Sequence, residues 1–275
     1  MSLPRDEILK ELGLWPQWKL RSAADAAPSD VAAPASAAEA PVAPRAAPPR
    51  AAPPAASPRA TPARAPAPVV QTLSLDARAA EIAGMDWPQL KQCVADCTAC
   101  KLAATRHKTV FGVGDEQADW LFVGEGPGAD EDMKGEPFVG QAGKLLDNML
   151  AAIRVKRGEN VYIANVVKCR PPNNRNPEAE EVERCETFLH RQIALIRPKL
   201  IVALGKVAAV NLLKREASVS SLRGKVHDYR GTPMIVTYHP AYLLRSLPEK
   251  ARAWEDLCFA VETMQGLQSA ASAST

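Results

Sequence analysis

The chain has 275 residues, 24% of them charged, and a formal net charge of +3, too mild for composition alone to announce nucleic-acid binding. Its length allows one or two domains. No segment approaches the ~20 consecutive apolar residues of a membrane span, which excludes an integral membrane helix.

Residues 1–21 form the first region. Ile8, Leu9, Leu12, Leu14, Trp15, Trp18 and Leu20 sit among charged residues and predict a short amphipathic helix ending near Pro16. Asp6, Glu7 and Glu11 break the pattern of a secretory signal, so a cytoplasmic protein is expected. The two tryptophans suit either docking to a protein partner or docking back on the chain's own core. Residues 22–74 are mostly Ala and Pro. They offer no periodic apolar face and read as a disordered, partly extended tether.

Residues 75–266 carry the pattern of one folded domain, and a small, polar tail over 267–275 is expected to fray. Short apolar runs at Trp120–Val123, Val161–Ala164, Leu200–Leu204 and Met234–Tyr238 alternate with helical stripes. One stripe is Ala142, Leu145, Leu146, Met149, Leu150 and Ile153; another runs from Glu178 to Ile196. Near the C-terminus, Trp254, Cys258 and Val261 predict a further buried helical face. The alternation implies an α/β fold with three α/β/α layers around a central, mostly parallel four-stranded sheet.

Each predicted strand runs into a glycine or a polar group: Gly124-Glu125-Gly126-Pro127-Gly128, Asn165, Gly205-Lys206 and His239-Pro240. In open α/β sheets ligands bind outside the carboxyl ends of the strands, so one site can gather all four. From Lys168 to Asp256 there are 16 Lys and Arg against 10 Asp and Glu. That excess fits a basic binding surface or a plain solvated face.

Six cysteines, Cys93, Cys97, Cys100, Cys169, Cys185 and Cys258, are not expected to form disulfides in the cytoplasm. Cys97-x-x-Cys100 points to metal or redox chemistry. Spacing alone leaves an iron–sulfur cluster, zinc and plain buried thiols open. Cys93 lies one helical turn ahead of Cys97 and competes as a ligand.

Four motifs in order, Cys97-Thr98-Ala99-Cys100-Lys101-Leu102, the loop from Gly124 to Gly143, Asn165-Val166-Val167-Lys168-Cys169-Arg170-Pro171-Pro172 and His239-Pro240-Ala241-Tyr242-Leu243-Leu244, resemble the family 4 uracil-DNA glycosylases. The resemblance covers about Gln92 to Trp254. It implies base flipping and hydrolysis of the N-glycosidic bond of uracil in single- and double-stranded DNA, by a monomer that starts base excision repair. It also implies a [4Fe-4S] cluster on Cys97, Cys100, Cys169 and Cys185, structural in role, which demotes Cys93.

The same resemblance makes Phe138 the stacking surface for the extruded uracil and Asn165 the reader of its Watson–Crick edge. It places Glu125 by the sugar and the attacking water, and His239 at the uracil O2. Backbone N–H groups of Gly126 and Gly128 are expected to face the base, with Glu131 along its C5 edge. The transition state combines a cationic sugar with a departing uracil anion, so negative charge by the sugar and donors at the base are the required chemistry. An Asn amide pairs with uracil N3–H and O4, and cytosine reverses both.

On DNA, Leu243, Leu244 and Arg245 are expected in a wedge loop, with Lys206 and Arg245 on phosphates. Two alternatives remain. A covalently trapped branch needs a histidine after the Asn motif, and Arg170 to Pro177 contains none. A non-catalytic module recruited to replication machinery would make residues 1–21 and the tether the recruiting element.

Overall fold

The computed structural model describes residues 75–273. The predicted N-terminal peptide and the whole of the tether lie outside those residues.

Two helices open the described chain, α1 (Leu75–Gly84) and α2 (Trp87–Ala95). The second starts on a capping box, with Asp86 accepting from Gln89 N and the Gln89 side chain accepting from Asp86 N; two orphan donors of the first turn are thereby satisfied. The strands β1 (Val113–Gly114) and β2 (Trp120–Gly124) follow, then α3 (Ala129–Lys134), α4 (Gln141–Ala152) and β3 (Val161–Asn165). After α5 (Ala179–Ile196) come β4 (Leu200–Leu204), α6 (Gly205–Leu213) and α7 (Val219–Leu222). The chain ends with β5 (His227–Tyr229), β6 (Thr232–Thr237), α8 (Pro240–Leu243) and α9 (Glu249–Ala273).

The sheet has six strands in the order β1-β3-β2-β4-β6-β5, two more than the sequence predicts. The inner four are parallel, while β1 and β5 pair antiparallel at the edges. Both additions are two or three residues long, too short for an alternating pattern to register. The inner strands are buried on both faces, which is why they read as unbroken apolar runs.

Side chains alternate between two cores. Leu121, Val123, Ala164, Ile201, Ala203, Met234 and Val236 face α5 and α6, meeting Phe188, Leu189, Ala208 and Leu212. Trp120, Phe122, Ile163, Val202 and Ile235 face the opposite way, toward Leu146, Leu150, Ala260 and Met264 of α4 and α9. Fully burying one such side chain contributes about 1.5–3 kcal/mol.

The C-terminal helix corrects two expectations. It presents Ala253, Leu257, Ala260 and Met264 to the core and leaves Trp254 47% exposed, one residue out of step with the predicted Trp254/Cys258 face. It also continues past Gly266 to Ala273, where Ala and Ser carry the backbone on without a breaker. Among the described residues no helix is long and apolar enough to cross a membrane.

Register sets the working edge. Gly124 pairs across from Asn165, and Leu204 across from Thr237, so all four parallel strands end at one level.

Candidate active site

A cleft of about 630 Å³ opens at that edge. Its wall carries Glu125, Gly126, Gly128, Glu131, Phe138, Asn165, Lys206, His239 and Arg245, so the structure gathers nine of the sequence-predicted residues around one space.

The loop after β2 stays paired with the chain beyond β3: Val166 N donates to Gly124 O at 3.0 Å and Val167 N to Glu125 O at 3.2 Å. These bonds hold Glu125 and Asn165 at a set separation. The Glu125 carboxylate makes no hydrogen bond or ion pair with the described residues, and burial raises its pKa above the usual carboxylate value.

Asn165 is 2% exposed and its Oδ1 has no hydrogen-bond partner. A buried acceptor left unpaired costs about 1–3 kcal/mol, so this atom is set for a donor that enters the cleft. Gly124 makes room for it, since a Cβ there would stand 2.5 Å from both Asn165 Oδ1 and Phe138 Cζ. The Phe138 ring, 6% exposed, faces the His239 imidazole with centroids 5.5 Å apart and 31° between planes.

His239 caps α8, its Nδ1 accepting from Ala241 N at 3.1 Å. An accepting Nδ1 places the proton of the neutral ring on Nε2. Burial, reinforced by the Arg245 charge, pushes the pKa down to about 4. Gly205 sits at φ +87°, and a Cβ on it would stand 2.8 Å from His239 Cβ. Glycine there serves both the left-handed turn and the close approach of the histidine.

Glu131 is a loop brace. Its Oε2 accepts from Gly128 N at 3.0 Å and its Oε1 from Val139 N and Gly140 N at 2.9 and 3.0 Å. The Gly128 amide is therefore engaged within the loop instead of facing the cleft. The Gly126 amide has no partner among the described residues.

The expected wedge needs correcting. Leu243 belongs to the one-turn helix α8, is 1% exposed, and packs with Met149, Tyr238, Ala253 and Leu257. Helical winding turns it into the core while Leu244, at 42% exposure, remains outside. Tyr242, missed at the sequence level, lines the cleft, is 39% exposed and stacks on Tyr238 at 5.4 Å. Lys206 forms an exposed ion pair with Glu216 at 3.3 Å, which contributes little to stability. Arg175 also lines the cleft, held by a bidentate bond to the buried Glu181 at 2.8 and 2.6 Å.

Cys97, Cys100, Cys169 and Cys185 all line a second, small cavity beside Arg106 and Lys168, and Cys93 does not. Three of the sulfurs accept hydrogen bonds: Cys97 from Arg78 at 3.4 Å, Cys169 from Arg106 at 3.3 Å and Cys185 from the Lys168 N–H at 3.2 Å. Burial raises the Cys100, Cys169 and Cys185 thiols, Cys185 to about 12. Among the described residues no three such side chains are grouped to hold a single metal ion.

A parallel sheet ending in this cleft has a counterpart among known families. Residues 111–258 match the model of the uracil DNA glycosylase superfamily, and the chain belongs to that superfamily. It is 51% identical over 159 residues to the type-4 uracil-DNA glycosylase of Archaeoglobus fulgidus, covering 55% of this chain and 79% of that protein. To the type-4 enzyme of Thermotoga maritima it is 46% identical over 161 residues, 58% of this chain and 83% of that protein. To that of Pyrobaculum aerophilum it is 40% identical over 181 residues, 63% and 92% respectively. Within the superfamily, the chain is a type-4 member.

Proposed function

We propose that the cleft between Glu125, Phe138, Asn165 and His239 is where this chain, a uracil-DNA glycosylase, receives a flipped uracil and where the N-glycosidic bond is hydrolysed. The observation that carries the assignment is the unpartnered, buried Asn165 Oδ1, an acceptor matched to uracil N3–H. The amide's nitrogen then donates to O4, and cytosine, with donor and acceptor exchanged, is refused. Phe138 offers its face to the base, recovering part of the unstacking cost of a few kcal/mol.

The reaction divides charge between two sites. As the bond stretches, the sugar gains cationic character and the base anionic character. Glu125, ionised and unpaired, faces the cation and orients a water for attack at C1′. Neutral His239 donates from Nε2 to uracil O2. A neutral donor stabilises the anion without a permanent positive charge that would oppose the sugar's. Glu131 acts one step back, fixing the loop between Gly128 and Gly140.

DNA is the substrate; Lys206, Arg245 and Arg175 are assigned to its phosphates, and Tyr242 and Leu244, in place of Leu243, to the stack beside the vacated base. Residues 1–21 are a candidate segment for docking a protein partner, and the chain is read as a monomer. The four cavity cysteines are assigned to a [4Fe-4S] cluster. Four thiols lining one cavity, Cys169 and Cys185 buried and Cys97 and Cys100 half-buried, with three N–H donors on their sulfurs, fit such a group. When bound, the cluster supplies a structural cross-link between the segment after α2, the chain after β3 and α5.

Incubation with uracil-containing single- and double-stranded DNA, followed by alkaline cleavage, tests the site. Strand scission lost in Glu125→Gln and His239→Ala supports the assignment; undiminished scission in both variants refutes it. A protein–DNA adduct stable to denaturation would favour the covalently trapped reading.

A further inference from the structure

We propose that Arg157, which lies outside the cleft and touches no substrate, is a positioning residue that holds Phe138 in its base-stacking orientation. The inference rests on Phe138 being the stacking surface, as assigned above.

Phe138 is one of the non-glycine residues with positive φ, at 54°. A residue with a β-carbon adopts that conformation only when its surroundings impose it. Here two features do so. Arg157, in the turn between α4 and β3, points its guanidinium fork at consecutive carbonyls: Nη1 donates to Pro137 O and Nη2 to Phe138 O, each at 2.8 Å. Its Nε donates to Asp147 Oδ1 of α4 at 2.9 Å, which fixes the plane of the fork. The Arg157 side chain is 23% exposed and its two bonds to the carbonyls are partly buried, while the Asp147 carboxylate lies half-exposed.

The second feature is Gly143 on α4. A Cβ built there would stand 1.8 Å from Phe138 O and 2.2 Å from its carbonyl carbon. The bare α-carbon lets the same peptide unit that Arg157 grips lie flat on the helix. With that peptide seated, the ring is directed at His239 on one side and at the bare Gly124 on the other. Released, Phe138 relaxes toward negative φ and its ring leaves the base position. A planar fork with two parallel donors suits this task, and a lysine ammonium does not reproduce it.

The test compares full-length Arg157→Met, Arg157→Lys, Gly143→Ala, Phe138→Ala and the Arg157→Met/Phe138→Ala double variant. Single-turnover excision, inhibition by free uracil and melting temperature are measured for each. Arg157→Met is expected to slow excision and weaken uracil inhibition about tenfold, with Arg157→Lys recovering only part of the loss. Gly143→Ala should give the same signature by striking the same carbonyl, although alanine is the better helix former.

In the Phe138→Ala background, Arg157→Met should add less than about twofold, because both changes act through one ring. A lowered melting temperature with unchanged uracil inhibition would overturn the proposal, and so would losses that multiply in full. If Phe138→Ala alone leaves uracil inhibition unchanged, the stacking assignment itself fails and this proposal with it.

Discussion

Lys168 Nζ donates to the backbone carbonyl of Asn165 at 2.9 Å, joining the residue assigned to read the base to the cysteine cavity that Lys168 itself lines. The ammonium is 1% exposed and also donates to Gln192 Oε1 at 2.6 Å, while the Lys168 N–H reaches Cys185 Sγ. Burial pushes its pKa down to about 8. Lys168→Ala leaves two buried acceptors unpaired and a void, a loss of about 2–4 kcal/mol. Lys168→Met refills the void and should cost roughly half as much. Thermal unfolding of the two variants checks the ranking, which fails if they melt together.

The acid limb of the pH–rate profile is expected to report Glu125 alone. Its carboxylate must be ionised to face the sugar cation, and burial raises its pKa above 4.5. His239, held near 4, is still neutral when Glu125 takes up its proton. Single-turnover rates should therefore decline as pH is lowered through one ionisation above 4.5, and this ionisation should disappear from the residual activity of Glu125→Gln. An acid limb that persists in Glu125→Gln would mean that a group other than Glu125 sets it.

The same shift sets a stability effect. A carboxyl whose folded pKa exceeds its unfolded one favours the fold below the unfolded pKa, and this contribution is lost as pH rises through the folded value. Near neutral pH the ionised, unpaired Glu125 opposes folding. Glu125→Gln should therefore melt above the parent at neutral pH, with the gap closing as pH is lowered. Equal melting across the range would show that the carboxylate is better solvated than its burial indicates.

Asn165→Asp replaces a donor–acceptor fork with two acceptors. Uracil O4 then meets a carboxylate oxygen, and one good bidentate pair is worth ~1–3 kcal/mol. Excision of uracil should fall by about 10- to 100-fold, with the preference for uracil over cytosine narrowed. Parallel assays on the two bases check this; an unchanged preference removes Asn165 from base reading.

Replacing Cys185 or Cys169 with alanine should abolish the visible absorption of anaerobically purified protein and lower its melting temperature. Cys93→Ala, outside the cavity, should keep the colour. Stoichiometric zinc with no colour in the parent would remove the cluster assignment.

Much of this was legible in the chain because the inner strands are buried on both faces and end in chemically distinctive residues. Glu125, Asn165 and His239 announced themselves as polar groups after apolar runs, and register then brought them together. The edge strands were hidden by brevity. Leu243 was misread because a one-turn helix begun by His239 and Pro240 leaves no periodicity, so an inward leucine and an outward one look alike in sequence. Glu131 reads as a base contact in sequence; in the fold it lines the cleft and also binds three backbone donors, which sequence does not announce. Arg157 carries no local signal, since its partners are carbonyls about 20 residues earlier.

The two outermost strands have a consequence for behaviour in concentrated solution. A long free strand edge is a template on which another chain can add itself. Here the sheet ends in Val113–Gly114 on one side and His227–Tyr229 on the other, so an incoming strand finds only two or three residues of open ladder. Copies of the chain therefore find little purchase for edge-to-edge association.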